Sequence, residues 1–231
     1  MKTTQVTPNS LQLTRLAFVN CYLIRESDGI TLVDTGLPGT HDDILAAASS
    51  LDATIRRILL THAHMDHVGS VDALLEKLGS TNVELISNAR SLPLLQKPPD
   101  KSLQPNEPQT KIKGGLPGIK SRPTRLLNEG DLVGSLRTIE TPGHIPGHLS
   151  FLDERDDTLY AGDALVTMGG LTVSGFAPWF FPLPNFANWH KPSAIASAQK
   201  LLNYPIQRFA SGHGPIHPGG NPALRTTIAS L

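Results

Sequence analysis

The sequence contains little cysteine, no excess of charge of either sign and no long apolar run. Cys21 is the single cysteine, so no disulfide can form within the chain, and a reducing compartment is expected. Basic and acidic residues number 20 each, a balance that does not indicate a nucleic-acid or membrane partner. No stretch approaches the roughly 20 apolar residues of a membrane-spanning helix. Because the N-terminal residues also lack the apolar segment of a signal peptide, we expect a soluble cytoplasmic protein.

The most distinctive stretch is residues 61–69, with the sequence THAHMDHVG. Three histidines and one aspartate follow an apolar run, residues 55–60, that predicts a buried strand. Alternation along a strand would place His62 and His64 on the same side, with Asp66 and His67 on the turn into the next helix. Imidazole and carboxylate groups are common ligands of zinc and related ions. The alternative, an incidental histidine cluster at a helix N-terminus, is disfavoured by the later segments.

Three later segments each place a potential ligand beside glycine at the end of a predicted strand. They contribute His144 in TPGH, Asp163 in GD and His213 in GHG. Glycine allows the backbone to turn sharply where a side chain must face inward. Together with the earlier cluster, these segments indicate a metal centre rather than core packing.

This pattern resembles the metallo-β-lactamase superfamily over nearly the whole chain. The resemblance implies three sets of ligands: His62, His64 and His144 for a first metal, Asp66, His67 and His213 for a second, and Asp163 as a bridge. It implies an α+β fold, a four-layer αββα sandwich with the metals at one edge of two packed sheets. Segments 18–24 and 32–36 resemble the N-terminal strands of the family. We expect two divalent ions, zinc in the first place, although the ligands also suit manganese or iron.

Two such ions about 3.5–4 Å apart can share a water molecule and lower its pKa towards neutrality. The metal-bridged hydroxide would attack an electrophilic carbonyl, with Asp66 as the catalytic acceptor that orients it. We therefore predict a metal-dependent hydrolase of a small carboxylic ester, thioester or lactone. The alternatives are a mononuclear iron sulfur (persulfide) dioxygenase, a phosphodiesterase and a non-catalytic metal-binding sensor. The expected partner is a small-molecule substrate, and a homodimer is left open.

Individual branches of the superfamily differ in features that this sequence contains or lacks. The zinc β-lactamases lack an aspartate bridge, so Asp163 disfavours that activity. Glyoxalase II carries a helical glutathione-binding domain, whereas this chain ends 18 residues after His213. The N-acyl homoserine lactonases share all seven ligand types, but the best-known members have a tyrosine where this chain has Val166. Persulfide dioxygenases use one iron, and nucleases carry additional segments that we do not find.

Several further residues are expected to support the ligands. His148 resembles the second histidine of the family's PGHxPGH stretch and is expected to hold a ligand through a hydrogen bond. Asp34 resembles a family position near the metals, and a turn former at a strand end is the alternative. No catalytic or metal-binding role is predicted for three more histidines. One is expected at a helix end, and the other two near the mouth of the site or in structural positions: His41, His190 and His217.

A single domain spanning residues 1–231 is predicted, with an insertion at about residues 93–123. The insertion holds seven prolines and six basic residues but only two acidic ones. Proline at this density blocks regular elements. The insertion is therefore a surface loop or a mobile flap whose lysines attract an anionic substrate.

The stretch from residue 168 to 189 is predicted to be irregular. Six of the 12 aromatic residues of the chain fall within residues 176–189, where three prolines interrupt them. Three interpretations remain open: a part of the core, a dimer interface and the wall of an apolar substrate pocket.

Strands and helices are predicted to alternate in the first part of the chain, with more strands in the second. Helices are expected at residues 41–51, with Thr40 as N-cap, and at 70–78, 191–202 and 222–231.

Overall fold

The computed structural model describes all 231 residues, which form two compact units. The first unit comprises residues 1–99 and 116–127, and the second comprises residues 100–115 and 128–231. Each helix and each strand lies within one unit. The longest helix has 11 residues, and no helix combines the length and apolar character needed to cross a membrane.

A seven-stranded sheet forms the frame of the first unit, and its strands follow one another across the sheet in chain order. The strands are β1 Lys2–Thr7, β2 Ser10–Arg15, β3 Val19–Glu26, β4 Gly29–Val33, β5 Ile55–Leu59, β6 Glu84–Asn88 and β7 Arg125–Leu127. The strands from β1 to β4 pair antiparallel, whereas β4, β5, β6 and β7 pair parallel. Because parallel neighbours end at the same edge, the residues after β4 and β5 meet there. The backbone N–H of Asp34 donates to the carbonyl oxygen of Leu59 at 2.8 Å.

The helices of the first unit bury apolar side chains. They are α1 His41–Ser50, α2 Met65–Val68, α3 Val71–Leu78 and α4 Leu92–Leu95, the last preceded by a 3₁₀ turn at Ala89–Ser91. Ile44, Val71 and Leu74 are fully buried. The predicted alternation of strands and helices is confirmed. Thr40 is the N-cap residue of α1, as predicted, but its hydroxyl donates to the carbonyl oxygen of Leu37 at 2.7 Å instead of accepting a bond from the helix.

The second unit contains a six-stranded sheet in the order β15-β14-β11-β10-β9-β8 and a separate ribbon of β12 and β13. Its strands are β8 Leu132–Val133, β9 Leu136–Glu140, β10 Leu149–Asp153, β11 Thr158–Gly162, β12 Leu165–Val166, β13 Thr172–Val173, β14 Arg208–Ser211 and β15 His217–Pro218. Only β11 and β14 pair parallel. Their shared edge therefore carries both Asp163 and His213, and the N–H of Gly212 donates to the carbonyl oxygen of Gly162 at 2.7 Å.

Three helices complete the second unit: α5 Leu183–Ala187, α6 Lys191–Leu201 and α7 Gly220–Ala229. Leu201 and Leu224 bury their side chains in one apolar cluster with Phe209 of β14. The stretch expected to be irregular contains β13 and α5, so that prediction was wrong. Pro184 lies in the first turn of α5, where the missing N–H of proline costs no helical hydrogen bond.

The proline-rich insertion contains no helix or strand beyond α4, which takes up its first three residues. The N–H of Ile119 donates to the carbonyl oxygen of Leu95 at 2.9 Å, and the indole N–H of Trp189 donates to that of Thr110 at 2.9 Å. Ile112 and Ile119 are buried. The insertion is thus held at several points, and its movement as a flap stays a prediction.

Candidate metal centre

Four potential ligands of the first unit lie within six residues after β5. Nε2 of His62 and Nδ1 of His64 converge to 3.0 Å. His67 and Asp66 form a second pair, with 3.8 Å between Nε2 of His67 and Oδ2 of Asp66. The three histidines are buried, whereas the Asp66 side chain is 28 % exposed. The four side chains are grouped after β5, but Asp66 and His67 lie on the short helix α2 and not on the predicted turn.

Asp34 determines which ring nitrogen His67 and His62 present. Its Oδ2 lies 2.7 Å from Nδ1 of His67, so that nitrogen carries the proton and Nε2 keeps its lone pair. The hydroxyl of Thr61 donates to the same oxygen at 2.7 Å. Because the Thr61 hydroxyl donates its only proton in that bond, its oxygen acts as the acceptor for Nδ1 of His62 at 3.0 Å. Both histidines therefore offer Nε2, as metal-binding imidazoles with an oriented second nitrogen do.

The loop after β4 fixes the short helix that carries Asp66 and His67. The backbone N–H of Thr35 donates to the carbonyl oxygen of His67 at 2.7 Å, and its hydroxyl does so at 2.9 Å. A Cβ atom at Gly69 would lie 2.5 Å from the ring of Pro38, so only glycine permits this close approach. The position of the helix is thus set by packing as well as by hydrogen bonds.

In the second unit, Asp163 lies between two histidines. Its Oδ2 is 3.3 Å from Nε2 of His144 and 3.1 Å from Nε2 of His213. All three side chains are buried. One carboxylate oxygen therefore faces two imidazole nitrogens.

Ser174 orients His144 in the same way as Asp34 orients His67. Its hydroxyl donates to Oδ1 of Asn188 at 2.9 Å, so its oxygen accepts from Nδ1 of His144 at 2.9 Å. Nε2 of His144 is then the nitrogen that carries no proton in this tautomer. Sequence reasoning missed Ser174, because nothing distinguishes it in the sequence from other serines.

His148 supports Asp163 through the backbone, as the sequence predicted. Its Nε2 accepts from the N–H of Asp163 at 3.0 Å, and its Nδ1 lies 2.8 Å from the hydroxyl of Thr141. That hydroxyl lies 2.9 Å from the Ser150 hydroxyl, which donates to the carbonyl oxygen of Ala161. Because the last acceptor is a carbonyl oxygen, Ser150 donates to Ala161, Thr141 donates to Ser150, and Nδ1 of His148 donates to Thr141. Both ring nitrogens of His148 therefore have partners in this network.

His213 is held by backbone contacts and by a close approach. Its carbonyl oxygen accepts from the N–H and the hydroxyl of Thr167 at 3.0 and 3.1 Å. Gly214 has φ 108°, and a Cβ atom there would lie 2.4 Å from the backbone nitrogen of Met168. Glycine is therefore required after His213.

The remaining candidates have structural positions. Nδ1 of His190 accepts from the N–H of Ser193 at 3.3 Å and caps α6, His41 begins α1, and His217 lies on the edge strand β15. Burial, followed by the charge of Asp34, raises the pKa of the Cys21 thiol well above its usual value. Cys21 is therefore a neutral core side chain and no thiolate ligand.

The donor types fit divalent metal ions. The histidine and aspartate clusters are capable of holding metals, and the oriented nitrogens match neutral imidazole ligation.

A sequence profile of the metallo-β-lactamase superfamily matches residues 14–213. The chain belongs to the metallo-β-lactamase superfamily. The predicted fold class, the α+β metallo-β-lactamase fold, is thereby confirmed, and solved structures of this fold support it.

Three relatives show how far the similarity extends. The Bacillus subtilis (strain 168) protein YobT, described as uncharacterized, is 47 % identical over 211 residues, which are 91 % of this chain and 89 % of YobT. The hydroxyacylglutathione hydrolase GloC of Haemophilus influenzae is 29 % identical over 164 residues, 68 % of this chain and 71 % of GloC. The crystal structure of TTHA1623 in a di-iron-bound form has a TM-score of 0.68 and 27 % identity, covering 95 % of this chain and 98 % of that one.

Proposed function

We propose that this chain holds a dinuclear metal centre, which hydrolyses a small carboxylic ester, thioester or lactone. His62, His64 and His144 would hold the first ion, Asp66, His67 and His213 the second, and Asp163 would bridge them. The observation that carries the proposal is the Asp163 oxygen facing Nε2 of both His144 and His213. In this assignment those two histidines belong to different ions, so the oxygen between them is the natural bridge.

Four relatives support the proposal. The name of GloC denotes hydrolysis of an acyl-glutathione, which is a thioester, and two relatives of similar identity carry the name "probable metallo-hydrolase". The structure of TTHA1623 holds two irons. We propose zinc as the resident metal, with iron or manganese as the alternatives, because the donor set suits all three.

Two bound divalent ions would supply Lewis acidity towards the substrate carbonyl and a water molecule of lowered pKa. The contribution of the chain is positional. The Asp66 side chain is the partly exposed member of the proposed ligand set. Its carboxylate can therefore accept a hydrogen bond from an incoming water molecule and orient that water. Asp34, Ser174 and His148 hold their partners in one tautomer or position, which reduces the reorganisation that reaction requires.

The test combines metal analysis with a substrate panel. Purified protein should bind two ions per chain and hydrolyse members of a panel of p-nitrophenyl acetate, an acyl-glutathione thioester and a homoserine lactone. Asp163→Ala should lose at least one ion and most activity, whereas His217→Ala, a histidine outside the ligand set, should keep both.

Three results would contradict the proposal. One is a single ion in fully loaded wild type. The others are turnover of a phosphodiester alone, and oxygen consumption by the iron form with glutathione persulfide, which would indicate a dioxygenase.

A further inference from the structure

An uncharged segment connects the bridging carboxylate to helix α6. Residues 164–190 contain no lysine, arginine, aspartate or glutamate, although the chain as a whole is 17 % charged. Four large apolar side chains of this segment are exposed to solvent: Trp179 at 88 %, Phe180 at 55 %, Leu183 at 56 % and Phe186 at 71 %. We call these four side chains the aromatic surface. Contiguous exposed apolar surface of this kind marks a binding site more often than a single exposed leucine does.

The segment that carries the aromatic surface is fastened to one ligand at both ends. Before the exposed side chains, the hydroxyl of Ser174 pairs with Nδ1 of His144 at 2.9 Å. At its end, the N–H of Trp189 donates to the carbonyl oxygen of His144 at 2.8 Å, and Asn188 accepts from Ser174.

The middle of the segment is fastened to the other histidine ligand of the unit. The ring of Phe181 packs on the ring of His213, with 5.5 Å between their centroids. Phe180 lies across Gly169, where a Cβ atom would come within 2.4 Å of its ring. The chain two residues before Gly169, at Thr167, binds the carbonyl oxygen of His213. The segment that carries the aromatic surface therefore contacts both His144 and His213.

The local fold keeps these side chains outside. Two hydrogen bonds of 2.7 Å join the amide of Asn185 to the backbone of Ala177, closing the loop at its base. Pro182 and Pro184 begin α5 and restrict its backbone. The order of the segment is thus independent of burying Trp179 or Phe186, so both can contact a ligand without refolding.

We propose that the aromatic surface binds the hydrocarbon chain of an acyl substrate whose carbonyl is presented to the ligands His144 and His213. The assignment rests on the proposed hydrolase and narrows it to medium-chain or long-chain acyl compounds. The absence of charge fits a hydrocarbon rather than a polar group. The attachment to two ligands favours a substrate over a second copy of the chain, because a dimer interface does not need this attachment.

The test measures binding without turnover. Butanoate, hexanoate, octanoate and decanoate are titrated into the metal-loaded protein by calorimetry. Each buried methylene should tighten the dissociation constant about fourfold until the surface is filled. Since Trp179 is one of only two tryptophans and Trp189 is buried, indole fluorescence should report the binding of octanoate and should stop doing so in Trp179→Phe.

Variants test whether the chain-length dependence arises at the aromatic surface. In the double variant Trp179→Ser/Phe186→Ser, each added methylene should lower the dissociation constant by less than about twofold. Leu132→Ser, which removes an exposed leucine of β8 in the same unit, should leave the chain-length dependence unchanged. Both substituted side chains of the double variant are mostly in solvent, so folding should be preserved, and circular dichroism checks this.

The outcomes separate this inference from the proposed function. Chain-length dependence that the double variant abolishes supports the acyl surface even if no ester is hydrolysed, in which case only the hydrolase proposal fails. Equal binding of all four alkanoates overturns the acyl surface, as does a dependence that the double variant leaves intact. A wild-type dimer that becomes monomeric in the double variant also overturns it and assigns the surface to a second copy.

Discussion

Asp34 and His67 are joined through the carboxylate Oδ2 and the ring Nδ1, which lie 2.7 Å apart. The second oxygen of Asp34 accepts from the backbone N–H of Thr61 at 2.9 Å. One buried carboxylate thus holds the strand end that bears His62 and the helix that bears His67. The residue has φ 59°, in the left-handed region that asparagine and aspartate tolerate better than most side chains. A backbone turn and an orienting contact coincide in one residue.

Replacing Asp34 by asparagine should weaken metal binding by about 10–100-fold, the usual cost of losing an orienting partner of a ligand. Asparagine keeps the size and the backbone preference of aspartate. It lacks the negative charge that makes the His67 imidazole a stronger metal ligand. The measurement is a competition titration with a chelator. Asp28→Asn is the matched control, because Asp28 is an exposed carboxylate of the same unit that pairs with Arg57. Unchanged affinity in Asp34→Asn would reduce Asp34 to a turn former.

The regular elements with strong periodicity were predictable from the sequence. The helix expected at residues 41–51 is α1, His41–Ser50, and that expected at 70–78 is α3, Val71–Leu78. The strand β1 was not predicted, because its polar sequence KTTQVT forms a strand only through pairing with β2. Such pairing is tertiary context that local propensity does not contain.

The potential ligands were predictable because metal-binding residue types occur at the ends of predicted strands. Histidines and aspartates at glycine-flanked strand ends are uncommon, so the potential ligands stood out. Ser174 could not be found in this way, since its partner His144 lies 30 residues away and a serine hydroxyl is chemically common. The role of Asp34 stayed open for the same reason, because His67 is 33 residues distant.

A methyl group at Gly143 should displace the loop that carries His144. The Cβ atom of alanine would lie 2.4 Å from the backbone nitrogen and Cα of Ala194 in helix α6. Gly143→Ala should therefore lower the free energy of unfolding by about 2–3 kcal/mol and weaken metal binding. Urea unfolding of the metal-free protein measures the first effect.

Gly130→Ala is the control for backbone strain alone. Gly130 also has a positive φ, 85°, but a Cβ atom there would meet nothing within 4 Å. Gly130→Ala should lower the free energy of unfolding by about 1 kcal/mol. Equal losses for the two variants would show that the approach to α6 has no energetic consequence.

Trp189→Phe should loosen the proline-rich insertion. The substitution removes the indole N–H that donates to the carbonyl oxygen of Thr110 but keeps an aromatic ring in the buried position. Amide hydrogen exchange in peptides covering residues 104–113 should accelerate about fivefold, corresponding to about 1 kcal/mol for one hydrogen bond. Trp179→Phe is the control, since that side chain is 88 % exposed. Exchange that is equally slow in both variants would mean that other contacts hold the insertion.

Asp72 should stabilise the first unit at neutral pH and lose this effect in acid. Burial acts to raise the pKa of its carboxyl group, but the N–H groups of Lys120 and Ser121, which donate to it at 2.9–3.1 Å, outweigh burial and lower the pKa. A lowered pKa in the folded state means that the folded protein binds the proton more weakly than the unfolded chain does. The stabilisation is therefore complete above the unfolded pKa of about 3.9 and disappears as the pH falls through the lowered folded value.

Asp72→Asn isolates this contribution. Because Asp72 is only partly buried, the expected loss at pH 7 is about 1 kcal/mol or less. Urea unfolding of wild type and variant from pH 7 down to pH 3 should show a constant difference to about pH 5 and converging stabilities below it. Asp43→Asn, which removes an exposed acid at the start of α1, is the control for the loss of one negative charge at pH 7. A difference between wild type and Asp72→Asn that persists undiminished at pH 3 would mean that the loop at Lys120 is held by packing rather than by the carboxylate.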